Sequence, residues 1–550
     1  MELEFLKLVL EVKNPYIGLN SVFGVIRSQA AHDRHLTLQE NLYSFEARNF
    51  VAITVDRGIN PENFKREAVN KLFERCFDPL VFENVTQDSI TPNLRSFQDW
   101  LVGRGRDFFS QLELDHMRCY DWQDYLSHFK LMVKTEAKQK LDASALVKHN
   151  PAQNIVFHIK FINAIFSSIF KQLQERIMAC LNPNIIWYTS MSVDGLADRM
   201  FALLGGENIY NCGEIDFSKF DKSQDVYIKA CELEVYRRFK IDDYFLDLWS
   251  VSEMVCHATS TEKELSFEVR GQRRSGTANT FLGNSLVTLL LLSQYYDLRQ
   301  FKCLTVAGDD SLFFSEKGAV ADQSANLMKY FGMETKFFRD LPPYFCSKFI
   351  IFTGTNLHVV PDPYKLMVKL GKPLNDWDEL TLYERFISFR DYTKSLNHES
   401  VVTEVTKAIN IRYNIVGLST YAAVASLHCL AANYSRFREL YPDTSGFFTY
   451  YTNKLSSYFL QIYDVLGRTH WGTTAKENYI LTPRPFLGTR KYDDVFDIEE
   501  PWLSLGDVSR RNFDYELRQN NQRKFNKKDA NDFKRLKRSW AMMTRLTHKT

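Results

Sequence analysis

Apolar positions recur along this chain with a strand's period in some stretches and a helix's in others, and the changes of period mark out its elements. Asn211 to Phe217 reads as a strand, while from Asp225 onward Val226, Ala230 and Leu233 recur at helical spacing. Ser223 is the predicted N-cap of that helix, which leaves Asp216 at the C-terminal end of the strand and Asp221 in the turn after it. Open α/β sheets commonly place ligand-binding groups at such strand ends. Cys303 to Ala307 and Ser311 to Phe314 read as two short strands joined through Gly308-Asp309-Asp310, so an acidic pair is predicted at a hairpin tip. Between these elements, Ser275 and Gly276 form a flexible loop leading into an apolar helix, and Thr280 and Asn284, four apart, fall on one of its faces. Polar groups on an otherwise buried helix need hydrogen-bond partners, or else read a sugar hydroxyl. Ile155 to Phe166 is predicted to pack as core, and Phe97, Trp100 and Leu101 lie at near-helical spacing after a break at Thr86 to Pro92. Asp322 to Phe331 reads as helix, Tyr344 to Phe352 as strand turning at Gly354-Thr355-Asn356, and Val401 to Tyr434 as a helical lobe. No internal repeat is present.

The apolar run Leu286 to Leu292, broken only by Thr288, is far short of the ~20 residues a membrane span needs. Met1 to Leu10 carries glutamates where a signal peptide would be positive, so neither a span nor secretion is expected. The length of 550 residues suggests several domains or one multi-lobed enzyme. With 69 basic and 67 acidic residues the net charge is only +2, so any affinity for nucleic acid rests on how charge is distributed. Two places concentrate it: Lys130 to Lys140, with Lys134, Lys138 and Lys140, and a tail from Arg523 to Lys549 with ten Lys or Arg against Asp529 and Asp532. Nine scattered cysteines form no C-x-x-C pair, which points to a reducing compartment and against structural zinc. Adjacent carboxylates such as Asp309 and Asp310 repel one another unless a hard divalent cation takes their oxygens.

Taken in order, the basic segment, Asp216 with Asp221 five residues later, the Ser-Gly-x-x-x-Thr-x-x-x-Asn loop and helix, and the Gly-Asp-Asp hairpin resemble the viral RNA-dependent RNA polymerases. The core Lys219-Phe220-Asp221-Lys222-Ser223-Gln224, and Ser275 to Asn284 followed by Val287-Thr288, are similar to the alphavirus-like supergroup of positive-strand RNA viruses. Within it, Lys138-Gln139-Lys140-Leu141-Asp142 and Ile162-Asn163-Ala164-Ile165-Phe166 resemble tobamovirus and closterovirus enzymes. The resemblance covers about residues 120 to 375, through Asp362-Pro363-Tyr364-Lys365-Leu366 and Lys369-Leu370-Gly371.

That resemblance implies an α/β (α+β) right hand: an antiparallel palm sheet flanked by helices, fingers, and a largely helical thumb. The expected divisions are 1–90 of unknown role, fingers at 91–210, palm at 211–340, thumb and its junction at 341–480, and a C-terminal extension at 481–550. It implies Mg2+, with Mn2+ as substitute, on Asp216, Asp309 and Asp310, and Lys336 as general acid for pyrophosphate. Asp221, Ser275, Gly276, Thr280 and Asn284 map onto the family's ribose-reading set, and Lys134, Lys138 and Lys140 onto the path by which nucleoside triphosphates reach the site. Implied partners are template and nascent RNA, NTPs, and a separately supplied methyltransferase/helicase protein through which the chain would reach membranes in the host cytoplasm, since no G-x-x-x-x-G-K-[ST] loop is present. A reverse transcriptase is disfavoured by Gly308 and Asn284, and a silent RNA-binding scaffold by the full set of clustered carboxylates.

Overall fold

The computed structural model describes residues 3–8, 37–49, 55, 60–101, 122–134, 151–261, 265–316, 320–370, 378–414 and 420–441. Lys138, Lys140 and the basic tail therefore lie outside the described residues. The strands are β1 (Leu3–Leu8), β2 (His128–Val133), β3 (Asn154–Phe157), β4 (Ile185–Trp187), β5 (Asn211–Phe217), β6 (Val255–Ser260), β7 (Leu265–Arg270), β8 (Cys303–Ala307), β9 (Asp310–Ser315), β10 (Thr335–Arg339), β11 (Tyr344–Phe345), β12 (Lys348–Phe352) and β13 (Leu357–Pro361). The helices that position the site are α1 (Pro61–Cys76), α2 (Lys160–Cys180), α3 (Phe220–Ser223), α4 (Val226–Arg238), α5 (Asp243–Met254), α6 (Thr280–Tyr295) and α7 (Glu399–Tyr413).

The described residues divide into two compact units, one holding those up to 366 together with 390–429, the other holding 367–389 and 430–441. At the centre of the first is a five-stranded sheet in the order β10-β5-β9-β8-β4. Four of its strands are antiparallel to their neighbours, but β4 runs parallel to β8, so the sheet is mixed. Ile185, Ile186 and Trp187 are all buried, and this short apolar strand extends the sheet on the side away from the acidic residues. The continuous apolar sequence of α6 follows from its place: every residue from Leu282 to Ser293 is buried, so the helix has no solvent face to make polar. It packs with Ile169, Leu173 and Ile177 of α2, Ile228 and Tyr236 of α4, and Trp249 of α5 in one core.

A second sheet, β1-β7-β6-β2-β3, buries Phe129, Leu131, Val156, Ala258 and Phe267. A third, β11-β12-β13, follows the central sheet. The break at Thr86 to Pro92 separates two helices within the first unit. The second unit is held by Phe386 and Phe389 against Phe437, at 5.3 and 5.2 Å between ring centroids, and by Arg438 paired with Glu379 at 3.1 Å.

One local expectation needs correction. Ser223 closes the short helix α3, and the N-cap of α4 is Asp225, whose carboxylate accepts from the Ile228 amide at 3.1 Å. Both residues suit a cap; the one immediately before the periodic run takes the role because only it has extended backbone there.

Candidate active site

The hairpin between β8 and β9 is closed by Gly308 with φ +64, a left-handed conformation open to glycine at little cost. Helix α6 clamps this turn from below. Ser285 Oγ accepts from the Gly308 amide at 2.9 Å, and Thr288 Oγ1 donates to the Gly308 carbonyl at 2.8 Å. Ala307 pairs with Asp310 across the hairpin, and Ile215 of β5 pairs with Ser311, so Asp216 comes next to the acidic tip. On the other side of β5, Lys336 pairs in register with Asp216.

The electrostatics follow from this convergence. Burial, and then Asp310, Asp221 and Asp216, push the Asp309 carboxyl up to about 7. Asp216 is also raised, by burial and by Asp310, against the opposing pull of Lys336, Arg412 and Lys365. Glu214, two residues before Asp216 and raised by burial, is gripped in a two-point pair by Arg412 of α7, with both N–H···O distances 2.8 Å. Burial and mutual repulsion thus raise Asp309 and Asp216 despite the neighbouring cations. Among the described residues no three acidic, imidazole or thiol groups close into a cage for a metal ion. What they supply is hard oxygen, the donor type that suits magnesium or manganese.

Beside this acidic tip, Asp221 accepts from Asn284 Nδ2 at 2.9 Å. The Asn284 oxygen accepts from Gln224 Nε2 at 2.9 Å and from Arg273 Nε at 3.0 Å. Ser275, Gly276 and Thr280 do not join that pair. Ser275 Oγ donates to the Asn154 carbonyl at 3.0 Å, the Gly276 amide donates to the Val156 carbonyl at 2.9 Å, and Thr280 Oγ1 donates to the Arg274 carbonyl at 2.8 Å. The loop expected to be flexible is thus docked along β3. A Cβ at Gly276 would stand 2.5 Å from the Phe157 Cβ, so glycine is required for that approach. Lys134 follows β2 in the second sheet, its amide donating to the Gln153 carbonyl at 2.8 Å.

Several residues of the site carried no motif. Thr288 interrupts an apolar run, and a buried hydroxyl there signals a partner to be found. Arg273, Gln224 and Glu232 sit inside or beside motifs, but their mutual bonding depends on tertiary approach alone. At the β11–β12 turn, Cys346 and Ser347 both have positive φ, and the Cys346 thiol is raised by burial and by Asp310.

Residues 11–440 match the family described as RNA dependent RNA polymerase. The chain belongs to that family. The chain is 43% identical over 426 residues to the replicase polyprotein 1ab of Beet yellows virus, covering 78% of this chain and 14% of the relative. It is 36% identical over 426 residues to the replicase polyprotein 1ab of Grapevine leafroll-associated virus 3, covering 77% of the chain and 15% of the relative. To the replicase large subunit of Tobacco rattle virus it is 30% identical over 402 residues, covering 73% of the chain and 23% of the relative. The matched part of the chain therefore spans less than a quarter of the length of these relatives.

Proposed function

We propose that this chain copies RNA for a positive-strand RNA virus by template-directed nucleotidyl transfer. The observation that carries the reading is the convergence of Asp216, Asp309 and Asp310 at one end of the central strands β5, β8 and β9, with Asp309 pushed to about 7, in a chain of the RNA-dependent RNA polymerase family. In the reaction the 3′-oxygen of the growing RNA bonds to the α-phosphorus of an NTP, the bond from that phosphorus to the bridging oxygen breaks, and pyrophosphate leaves. Asp216, Asp309 and Asp310 would hold divalent cations, Mg2+ or Mn2+, which when bound stabilise the attacking and leaving oxygens. The protein's own contribution is positional and electrostatic. The Ser285 and Thr288 clamp fixes the carboxylate turn, and Lys336 offers a proton to the departing pyrophosphate. The Asp221–Asn284 pair reads the ribose 2′-hydroxyl, with Ser275, Gly276 and Thr280 shaping the loop above it. Lys134, Lys138 and Lys140 meet the triphosphate on its way in.

In this reading residues 91–210 build the fingers, 211–340 the palm and 341–480 the thumb with its junction. The methyltransferase and helicase functions, and the tie to host membranes, come from other replicase segments or proteins. No helix among the described residues is long and apolar enough to cross a membrane.

Primer extension on an RNA template with Mg2+ or Mn2+ tests the reading directly. The intact chain should incorporate NTPs, while Asp309→Ala should abolish incorporation and leave RNA binding nearly unchanged. A chain that binds RNA but incorporates nothing, with either cation and with the helicase-bearing protein added, would be a scaffold instead.

A further inference from the structure

The Asn284 carboxamide is set in a single orientation by two buried side chains. Its oxygen takes one N–H from Gln224 at 2.9 Å and one from Arg273 at 3.0 Å, so both lone pairs are filled from the protein side. Its nitrogen faces the Asp221 carboxylate. The reverse orientation would turn amide hydrogens onto two donors and the oxygen onto a carboxylate, losing all three bonds.

Arg273 is itself locked. Its guanidinium meets Glu232 two-pronged, at 2.9 Å to Oε1 and 2.7 Å to Oε2, with both side chains fully buried. Glu232 is in turn held by Lys229 at 3.2 Å and by Asn279 at 3.1 Å, and Lys229 also pairs with Glu253 at 2.7 Å. Gly283 makes the arrangement possible, since a Cβ there would run into the Glu232 carboxylate and the Arg273 guanidinium. The backbone adds a second tie, because the Arg273 amide donates to the Asp221 carbonyl at 2.7 Å and the Gln272 amide to the Gln224 carbonyl at 2.7 Å. One buried ion cluster thus fixes Asp221 and Asn284 together. Buried ion pairs are poor sources of stability, and their best-attested use is to specify one geometry.

We propose that Arg273 and Gln224 are positioning residues for ribose selection. They hold the Asn284 amide so that its remaining hydrogen and the second Asp221 oxygen stay available to a 2′-hydroxyl. The proposal rests on the reading of Asp221 and Asn284 as the ribose contacts. A site built to bond a hydroxyl rejects the analogue lacking it strongly, and that rejection depends on donor and acceptor keeping their places.

The test compares kcat/KM for NTPs, 2′-deoxy-NTPs and 3′-deoxy-NTPs, the last retaining the 2′-hydroxyl, in the intact chain, Asn284→Ala, Gln224→Met and Arg273→Lys. Gln224→Met changes no charge and little volume, so it reports even if Arg273→Lys does not fold. Gln224→Met should lower the ratio of NTP to 2′-deoxy-NTP efficiency by about tenfold or more, with 3′-deoxy-NTPs falling like NTPs and 2′-deoxy-NTPs little changed. Combined with Asn284→Ala it should lower the ratio no further than Asn284→Ala alone. Equal losses for all three substrates in Gln224→Met, when Asn284→Ala does collapse the ratio, would overturn the positioning role alone. An intact chain without incorporation, or an Asn284→Ala variant with undiminished selectivity, would overturn the underlying reading and the proposal with it.

Discussion

At the scale of single residues, Asp309 is a carboxyl of the acidic hairpin whose ionisation is strongly shifted. Its carboxyl is pushed up to about 7 by burial and by three neighbouring carboxylates. Between the usual carboxylate range and pH 7 the folded chain therefore binds a proton at Asp309 that the unfolded chain has lost. Stability contributed there is complete below the unfolded value, falls as pH rises through this window, and levels off above about 7. Asp309→Asn has no such proton to lose. In chelator-containing buffer its melting temperature should gain on that of the parent chain as pH rises from 4 to 8, by a few degrees at about 1 °C per kcal/mol for a chain of this length. A difference independent of pH, measured by thermal scans, would mean that the carboxyl is ordinary. The adjacency of Asp309 and Asp310 was legible in the sequence as a demand for a cation. The contributions of Asp216 and Asp221 were not, because they arise only when β5 pairs with β9 and α3 folds back beside the hairpin.

At the scale of elements, sequence and structure agree where a single period or turn decides the outcome. β5 and β8 have the bounds that alternation and flanking turns predict, and β9 is longer only by Asp310 and Ser315. Agreement stops where two elements must meet. Nothing local to Thr288 says that its hydroxyl lies 2.8 Å from the Gly308 carbonyl, twenty residues on in sequence. Thr288→Val keeps the shape and removes the donor, leaving a buried carbonyl unpartnered at a cost of about 1–3 kcal/mol. Because that carbonyl belongs to the turn carrying Asp309, kcat for extension should fall about tenfold for each 1.4 kcal/mol that reaches the transition state, while RNA affinity holds. Unchanged kcat in steady-state assays would remove the clamp from the mechanism. The grip of Arg412 on Glu214 is equally nonlocal, joining α7 to the strand that bears Asp216. Both side chains are mostly buried, 15% and 16% exposed, so Arg412→Gln strands a carboxylate and should cost about 2–4 kcal/mol, toward the lower end for a buried pair that loses one partner. The double variant with Glu214→Gln should recover much of that loss in chemical denaturation. Additive losses would show that the two act independently.

At the scale of the whole molecule, the chain is almost neutral, with 69 basic and 67 acidic residues, yet its family works on a polyanion. Affinity for RNA must then come from where the charge sits, since phosphate contacts act through local neutralisation and counterion release. Some of the basic charge of the described residues is used internally: Lys229 and Arg273 are wholly buried in ion pairs, and Arg412 is committed to Glu214. Such structural cations cannot be told from RNA-facing ones in the sequence, because a buried Arg and an exposed Arg look alike until partners are known. That places more of the burden on the stretch from Arg523 to Lys549, with ten Lys or Arg against two aspartates. Each phosphate neutralised on a single strand contributes a slope of about −0.7 to log Kobs against log salt. Removing residues 523–550 should therefore flatten that slope by several units and weaken RNA binding most at low salt, while extension at saturating RNA keeps its kcat. Filter binding across a salt series decides the matter. An unaltered slope would assign the RNA-facing charge to the Lys130–Lys140 segment instead, and the same series on variants of Lys134, Lys138 and Lys140 would then show the loss.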